Sequence, residues 1–205
     1  MSRAVGAGVL AGLLFMAAAA SQNAPVPPAN TEQIETGRIH TPAGEVEQYR
    51  IRLLPPSSFP DLPPTVAAQL RDRRCMIPQS FEAQAPENVI HGAFRAAGSN
   101  DWAALCSSSG ATTLYIFFAG RLDAPIPLRS QPDTAWLGAE PGSNIFGSAW
   151  GIATRSLADL QNSRLTASGV SFDHDALEDA DLERSATIRY YDSGHWIVLH
   201  TQSQE

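Results

Sequence analysis

Residues 88–118 constrain the fold more than any other part of the chain. Three runs rich in β-branched and aromatic side chains, at 89–94, 101–106 and 112–118, are separated by two short turn-forming segments. Successive strands joined by tight turns pair as an antiparallel meander. We therefore expect three neighbouring antiparallel strands in the core of the protein.

Further strands are predicted on either side of this meander. Residues 45–54 alternate apolar with charged side chains, as a half-buried strand does, and residues 145–154 form another strand-like run. Near the C-terminal end, runs at 185–191 and 195–200 flank the sequence Asp-Ser-Gly, which predicts a hairpin. Residues 123–143 are rich in proline and are expected to be mostly loop.

One or two short helices complete the predicted fold. Residues 65–74 are expected to be helical, because Pro64 suits a first helical turn and Val66 and Leu70 lie on one face. The end of this segment is basic, with Arg71, Arg73 and Arg74. These cations either complement the helix dipole or form an anion site. The predicted class is α+β: an antiparallel sheet, made of a meander and a C-terminal hairpin, with one or two short helices and one disulfide.

Residues 1–20 have the organisation of a secretory signal peptide. The only charged residue, Arg3, comes first, a mostly apolar run follows from Val5, and alanines end it. The alternative is a retained transmembrane anchor, for which the stretch is short. After cleavage the sequence predicts no stable membrane span, a flexible Pro-rich leader at 21–44 and a single globular domain at 45–205. The predicted location is the periplasm or the extracellular space.

Two cysteines, Cys75 and Cys106, occur in the whole chain. In an exported protein they are most simply one disulfide, which would join the segment before the central strands to the middle of that sheet. A nucleophilic thiol is the alternative, and it would need an oriented histidine. The formal net charge of −7 argues against a nucleic acid partner, which usually requires a clustered basic face.

The densest group of candidate functional residues lies at 172–181. If this run is a helix, Asp175 and Asp179 share a face, as do His174 and Glu178. A histidine among carboxylates is typical of a divalent cation site or an acid–base pair. In the structural alternative, Asp173 caps the helix and the acids of its first turns complement the positive end of its dipole.

The remaining candidate for ligand binding is Trp136. It falls in a predicted loop, where it either packs in the core or stacks on a sugar or a partner surface. The chain has no Gly-x-Ser-x-Gly elbow, His-Glu-x-x-His motif, Walker loop, Cys-x-x-Cys pair or dinucleotide fingerprint. No catalytic residue is therefore assigned, and the only cofactor considered is a divalent metal at the acidic run.

Part of the central stretch, residues 89–118, resembles a single FG-GAP-type strand unit of integrin-like propellers. The similar motifs are Gly92-Ala93-Phe94, Gly98 and Asp101-Trp102-Ala103. The resemblance implies a propeller-like strand unit with a calcium site, of whose ligand positions only Asp101 fits. Non-ligand residues stand at the others, namely Ala93, Arg95 and Ala97.

A broader resemblance is to a group of uncharacterised exported bacterial proteins. It is carried by the motifs Cys75-x-Ile77-Pro78-Gln79, Asp101-Trp102-Ala103-x-Leu105-Cys106, His174-Asp175-x-Leu177-Glu178-Asp179 and Tyr190-x-x-x-Gly194-x-Trp196. These motifs span most of the chain after the signal peptide. The resemblance implies a shared fold and brings no established activity with it.

These observations favour an exported binding or interaction module of the cell envelope over an enzyme. Its partner would be a protein, a glycan or a small molecule, and inhibition of a protease or a lysozyme is one version of this hypothesis. The alternative hypothesis is a metal-assisted hydrolase that uses His174, Asp175 and Asp179.

Overall fold

The structure is a computed structural model that describes residues 31–40, 44–163, 165–166, 170–182 and 184–201. The predicted signal peptide and the first part of the predicted leader lie outside these ranges. No helix within the ranges is long and apolar enough to cross a membrane.

The described chain is mainly antiparallel β-sheet. The strands are β1 (Gln33–His40), β2 (Val46–Leu54), β3 (Ile77–Gln79), β4 (Val89–Gly92), β5 (Asp101–Ser108), β6 (Ala111–Phe117), β7 (Ile126–Pro132), β8 (Leu137–Ala139), β9 (Ile145–Ser148), β10 (Trp150–Arg155), β11 (Leu165–Thr166), β12 (Ala176–Asp181), β13 (Ser185–Asp192) and β14 (His195–Thr201). The helices are α1 (Pro64–Asp72) and α2 (Leu157–Asn162), and a short 3-10 turn spans Pro56–Ser58. The predicted fold class is confirmed.

The strands form three sheets. The central sheet has the order β4-β5-β6-β7 and contains the predicted meander. The C-terminal sheet has the order β10-β12-β13-β14-β11 and contains the predicted hairpin. The N-terminal sheet has the order β1-β2-β9-β8, and β3 also pairs with β2. Strands β2 and β9 pair in parallel, and the other strand pairs are antiparallel.

Strand β5 of the central sheet is buried on both of its faces. Successive side chains of a strand point in opposite directions, so its two faces pack against different parts of the protein. Ala103 and Leu105 of β5 pack against residues of the C-terminal sheet. Cys106, on the other face, packs with Val66 and Leu70 of α1. Fully burying an aliphatic side chain of this size contributes roughly 1.5–3 kcal/mol. Helix α1 is therefore held on the sheet by the apolar face that its sequence predicted.

Two tight turns shape the sheets at their ends. Ser109 and Gly110 join β5 to β6 with φ angles of 55° and 80°, and Ser193 and Gly194 join β13 to β14 with φ angles of 47° and 93°. A two-residue loop with positive φ at both positions is the type I′ turn, whose twist matches that of the paired strands. Both turns were predicted from sequence.

Two predictions of irregular structure are wrong. The leader predicted at 21–44 contains β1, which pairs with β2 along its whole length. The loop predicted at 123–143 contains β7 and β8. Pro127 and Pro132 are tolerated in β7 because it is an edge strand, where a missing backbone N–H interrupts no ladder on the open side.

Two predictions of regular structure also need correction. The single strand predicted at 145–154 is two strands, β9 and β10, which belong to different sheets. The acidic run at 172–181 is not a helix, since its second half is strand β12, paired with β10 on one side and β13 on the other. Its charge pattern suits a helix, but burial of Leu177 and its apolar neighbours between two strands outweighs that local preference. Neither the shared helical face nor the helix cap that the sequence predicted therefore exists.

Candidate functional site

A cleft of about 650 Å³ opens between the N-terminal sheet, the end of α1 and the β5–β6 turn. Two further clefts along the N-terminal sheet are smaller, at about 310 and 240 Å³. The lining of the large cleft combines apolar, hydroxyl and charged side chains, namely Gln33, Glu35, Leu53, Pro56, Arg71, Arg74, Cys75, Met76, Ser107, Ser108, Ser109 and Gly110. Its volume is within the usual range of small-molecule sites. These residues are the candidate site, called the cleft below.

Glu35, on β1, gives the cleft an acidic wall. Its Oε1 accepts a 3.1 Å hydrogen bond from the hydroxyl of Tyr49 on the neighbouring strand β2. Burial raises the pKa of Glu35, the negative charge of Asp133 raises it further, and the hydrogen bond from Tyr49 opposes both. The pKa of Tyr49 is raised as well, first by burial and then by this hydrogen bond. Glu35 is therefore easier to protonate than an ordinary glutamate.

Asp133 is a buried carboxylate next to the cleft. Its Oδ2 accepts a 2.8 Å hydrogen bond from the Ser107 hydroxyl, and its Oδ1 accepts a 2.5 Å hydrogen bond from the Thr112 hydroxyl. Its backbone N–H donates to the carbonyl of Gly110 at 3.1 Å. These bonds fix both ends of the β5–β6 turn, which lines the cleft. Asp133 thus shapes one wall and also places a negative charge close enough to act on Glu35.

Helix α1 leads into the cleft with two arginines, Arg71 and Arg74. Neither guanidinium has an ion pair or hydrogen bond with any residue that the structure describes. Arg73, between them, is occupied: its Nη1 donates to the backbone oxygen and side-chain Oε1 of Gln69 at 2.9 and 2.6 Å, and its guanidinium lies 5.6 Å from the ring centre of Tyr115. The end of α1 therefore leaves two unpaired cations at the cleft, where the sequence allowed an anion site.

The predicted disulfide is present and joins Cys75 to Cys106. Cys75 follows Arg74 in sequence, and Cys106 precedes Ser107. The bond therefore joins the side of the cleft that carries Arg71 and Arg74, called the arginine wall, to the side formed by the β5–β6 turn. Backbone hydrogen bonds of 2.9 and 2.8 Å between Met76 and Ser107 reinforce the same junction. The relative position of these two walls is therefore fixed by a covalent bond and by backbone pairing.

His174, one of the predicted ligands, is buried just before β12, where its ring stacks on Tyr190 of β13. Its Nδ1 lies 2.5 Å from Oδ1 of Asp173 and 2.8 Å from the hydroxyl of Tyr190, which also donates to that carboxylate at 2.8 Å. The hydrogen bond with His174, followed by that from Tyr190, lowers the pKa of Asp173. Nε2 of His174 is buried with no hydrogen-bond partner among the described residues. The polar contacts of His174 are thus to Asp173 and Tyr190, and not to the acids of β12.

Asp175 and Glu178 each have a local partner of their own. Oδ2 of Asp175 accepts a hydrogen bond from the N–H of Ala93, and its Oδ1 accepts one from the N–H of Leu157, both at 2.9 Å. This carboxylate therefore joins the end of β4 to the start of α2. Glu178 forms an ion pair with Arg155 on the neighbouring strand.

Asp179 is fully buried and is surrounded by donors. Its Oδ1 accepts a 2.8 Å hydrogen bond from the indole N–H of Trp150. Its Oδ2 lies 3.2 Å from Nη1 of Arg129 and 3.4 Å from Nη2 of Arg189. A buried carboxylate needs such partners, because burying an uncompensated charge is costly. The contacts of Asp179 therefore satisfy its charge within the fold.

Trp136 lies in a loop, as predicted, and it belongs to the surroundings of Asp179. Its ring centre is 4.9 Å from that of Trp150, and the guanidinium of Arg129 lies 4.1 Å from it. Trp136 is half-buried in this stack and does not line the cleft. Its indole covers the arginine that holds Asp179.

The structure does not bring His174, Asp175 and Asp179 into one site, because each has separate partners. Within the described ranges, no three His, Cys, Asp or Glu side chains are grouped so that they could hold a metal ion. The metal-assisted hydrolase therefore stays a prediction that the geometry does not support.

Glu35 and Asp133 were missed as site residues by the sequence reasoning. Glu35 fell in the predicted leader and Asp133 in the predicted loop, and they approach each other only through strands that those predictions lacked. A binding role for Arg71 and Arg74 could be predicted from sequence, since an anion site was one of the two interpretations of the basic end of the predicted helix.

Comparison with known proteins adds no relatives from which to transfer a function. No protein-family model matches the chain, and neither a curated protein nor a solved structure matches it. The resemblances to an FG-GAP-type unit and to exported bacterial proteins therefore stay predictions. The function of this chain has to be argued from its own geometry.

Proposed function

We propose that the protein is a binding module whose ligand site is the cleft. One observation carries this proposal: unpaired positive groups and an acidic side chain line the same space of about 650 Å³. Charged side chains that lack protein partners are available to recognise a ligand. A concave site of this volume favours a small molecule or a short peptide segment over the face of a large partner.

The rigidity of the walls supports the same proposal. The disulfide, the bonds of Asp133 to the β5–β6 turn and the pairing of Met76 with Ser107 all hold residues of the cleft in place. A site that is ordered before its ligand arrives loses less conformational entropy on binding. Walls that are ordered in this way favour ligand binding in the cleft.

We also propose that this module acts outside the cytoplasm, in the periplasm or after secretion. A disulfide in a chain of this kind suits an oxidising compartment, and the predicted signal peptide suggests export. Inhibition of an enzyme is less supported than ligand binding, because the site is a recess rather than a protruding segment.

The test is thermal unfolding of the mature, oxidised protein with a panel of sugars, amino acids, short peptides, nucleotides and organic acids. A compound that binds only the folded state raises the midpoint of unfolding. We expect at least one class to do so, and Arg71→Ala to reduce the shift. Arg121→Ala is the matched control, because Arg121 is an exposed arginine that does not line the cleft. No shift with any class, or equal shifts in both variants and the wild type, would contradict the proposal.

A further inference from the structure

We propose that the ligand is zwitterionic, a peptide of two or three residues with a free amino group and a free carboxylate. This inference rests on the proposed function of the cleft. Its basis is that Glu35 and the two arginines line one cleft without forming an ion pair with each other. Opposite charges that share a cleft but do not meet can be bridged by a ligand that carries the complementary pair.

The arginine wall is suited to the carboxylate end of such a ligand. Arg71 and Arg74 have no ion pair or hydrogen bond with any described residue, whereas Arg73 is held by Gln69. A guanidinium presents parallel N–H donors whose spacing matches the two oxygens of a carboxylate. Arg71 lies in the last turn of α1 and Arg74 follows the helix, so the cleft offers the carboxylate two guanidinium groups for bidentate contacts.

The acidic wall is suited to the ammonium end. Within the described residues, Glu35 has a single side-chain hydrogen bond, from Tyr49 to Oε1, and Oε2 has none. Asp133 adds a second negative charge close by, with both of its oxygens already occupied by hydroxyl groups. An ammonium group beside Glu35 would offset the repulsion between the two carboxylates, so binding would favour the ionised form of Glu35.

The lining between the charged walls is suited to apolar side chains. Leu53, Pro56 and Met76 contribute apolar surface to the cleft, and the Ser109 hydroxyl has no hydrogen bond among the described residues. Apolar surface in a binding site gains free energy when a ligand covers it. A peptide whose side chains are aliphatic or aromatic meets both requirements, charged ends and an apolar middle.

The experiment is titration calorimetry with the tripeptides Ala-Leu-Ala and Ala-Phe-Ala in three forms: with free ends, acetylated at the amino end and amidated at the carboxyl end. We expect the free peptides to bind, and each blocked form to bind at least about tenfold more weakly, because each loses one charge-assisted contact. Each set of cleft variants should remove the affinity penalty of one blocking group only. Arg71→Ala combined with Arg74→Ala should remove the penalty of amidation and keep that of acetylation, and Glu35→Gln should do the reverse.

The outcomes separate this inference from the proposed function. Equal binding of free and blocked peptides, or penalties that the cleft variants leave unchanged, would overturn the zwitterionic ligand and leave a binding cleft standing. The same holds if another compound class binds in the cleft and no peptide does. If no compound binds at all, both proposals fail. Circular dichroism of each variant establishes that a lost signal is not a lost fold.

Discussion

Cys75 and Cys106 form the one covalent link between the wall of the cleft that carries the arginines and the wall formed by the β5–β6 turn. The two cysteines are 31 positions apart in sequence, so their bond closes a long loop of the chain. The disulfide therefore has two roles, since it constrains the unfolded chain and it fixes the geometry of the candidate site.

Removal of this bond is expected to lower stability by roughly 3–4 kcal/mol, the value of the chain-entropy model for a loop of this length. The variant to measure is Cys75→Ser combined with Cys106→Ser, by urea denaturation. Wild-type protein treated with a reductant should behave in the same way. A loss below about 1 kcal/mol in both samples would contradict the expected contribution of the disulfide to stability.

The raised pKa of Glu35 predicts a pH dependence with a definite sign. Folding favours the protonated carboxyl, so the pKa of Glu35 in the folded state lies above its ordinary value of 4.5. The stability that the protonated Glu35 carboxyl contributes to the folded protein is fully present below the ordinary pKa. It is lost as pH rises through the raised pKa. Glu35→Gln should therefore be less sensitive to pH than the wild type over this range, because an amide does not ionise.

Urea denaturation at a series of pH values measures this effect. Glu82→Gln is the control, because Glu82 is an exposed glutamate outside the cleft. An unchanged pH profile in Glu35→Gln would mean that neither burial nor the charge of Asp133 raises the pKa of Glu35 in the folded protein.

Asp175 is expected to be a structural residue. Its carboxylate accepts two backbone N–H bonds, and hydrogen bonds to charged groups contribute about 1.5–3 kcal/mol each. Asp175→Ala should therefore cost about 3–6 kcal/mol in urea denaturation, the sum for the two bonds. Asp175→Asn should cost less, since one amide oxygen still accepts. A stabilisation of the wild type by zinc, calcium or manganese that Asp175→Ala abolishes would contradict this role and revive the metal site.

Two neighbouring acids of β12 should respond very differently to loss of charge. Asp179→Asn leaves the guanidinium groups of Arg129 and Arg189 without their buried carboxylate, and breaking such a pair typically costs about 3–5 kcal/mol. Glu178→Gln breaks an ion pair with Arg155, whose side chain is 45% exposed to solvent, and should cost below about 1 kcal/mol. Similar losses in the two variants would show that the buried cluster around Asp179 is not specially stabilising.

The parts of the fold that were predicted from sequence depend on local signals. The meander has short apolar runs and turn residues within 31 positions of each other, and the hairpin at Ser193 and Gly194 has the sequence its turn type requires. Helix α1 was marked by Pro64 and by the spacing of its two buried side chains. In each case the residues that decide the structure are neighbours in sequence.

The parts that were not predicted depend on distant partners. Strand β1 is polar and forms because β2 pairs with it, and β12 is acidic and forms because strands lie on both sides of it. The cleft shows the same limitation, since Glu35 and Asp133 are nearly 100 positions apart and neither has a chemical motif around it. A single sequence carries no periodic signal for contacts of this kind.

The most direct test of the account is to map where a ligand binds, by titrating isotope-labelled protein with free Ala-Leu-Ala and following its backbone amide resonances by NMR. The account predicts that the largest shifts cluster at Glu35, at Arg71 and Arg74, and from Ser107 at the end of β5 to Gly110 in the β5–β6 turn. Glu35→Gln should weaken them, and Arg121→Ala should not. Shifts centred instead on Trp136 or on the acids of β12, with the cleft unchanged, would contradict the central claim that the cleft is the functional site.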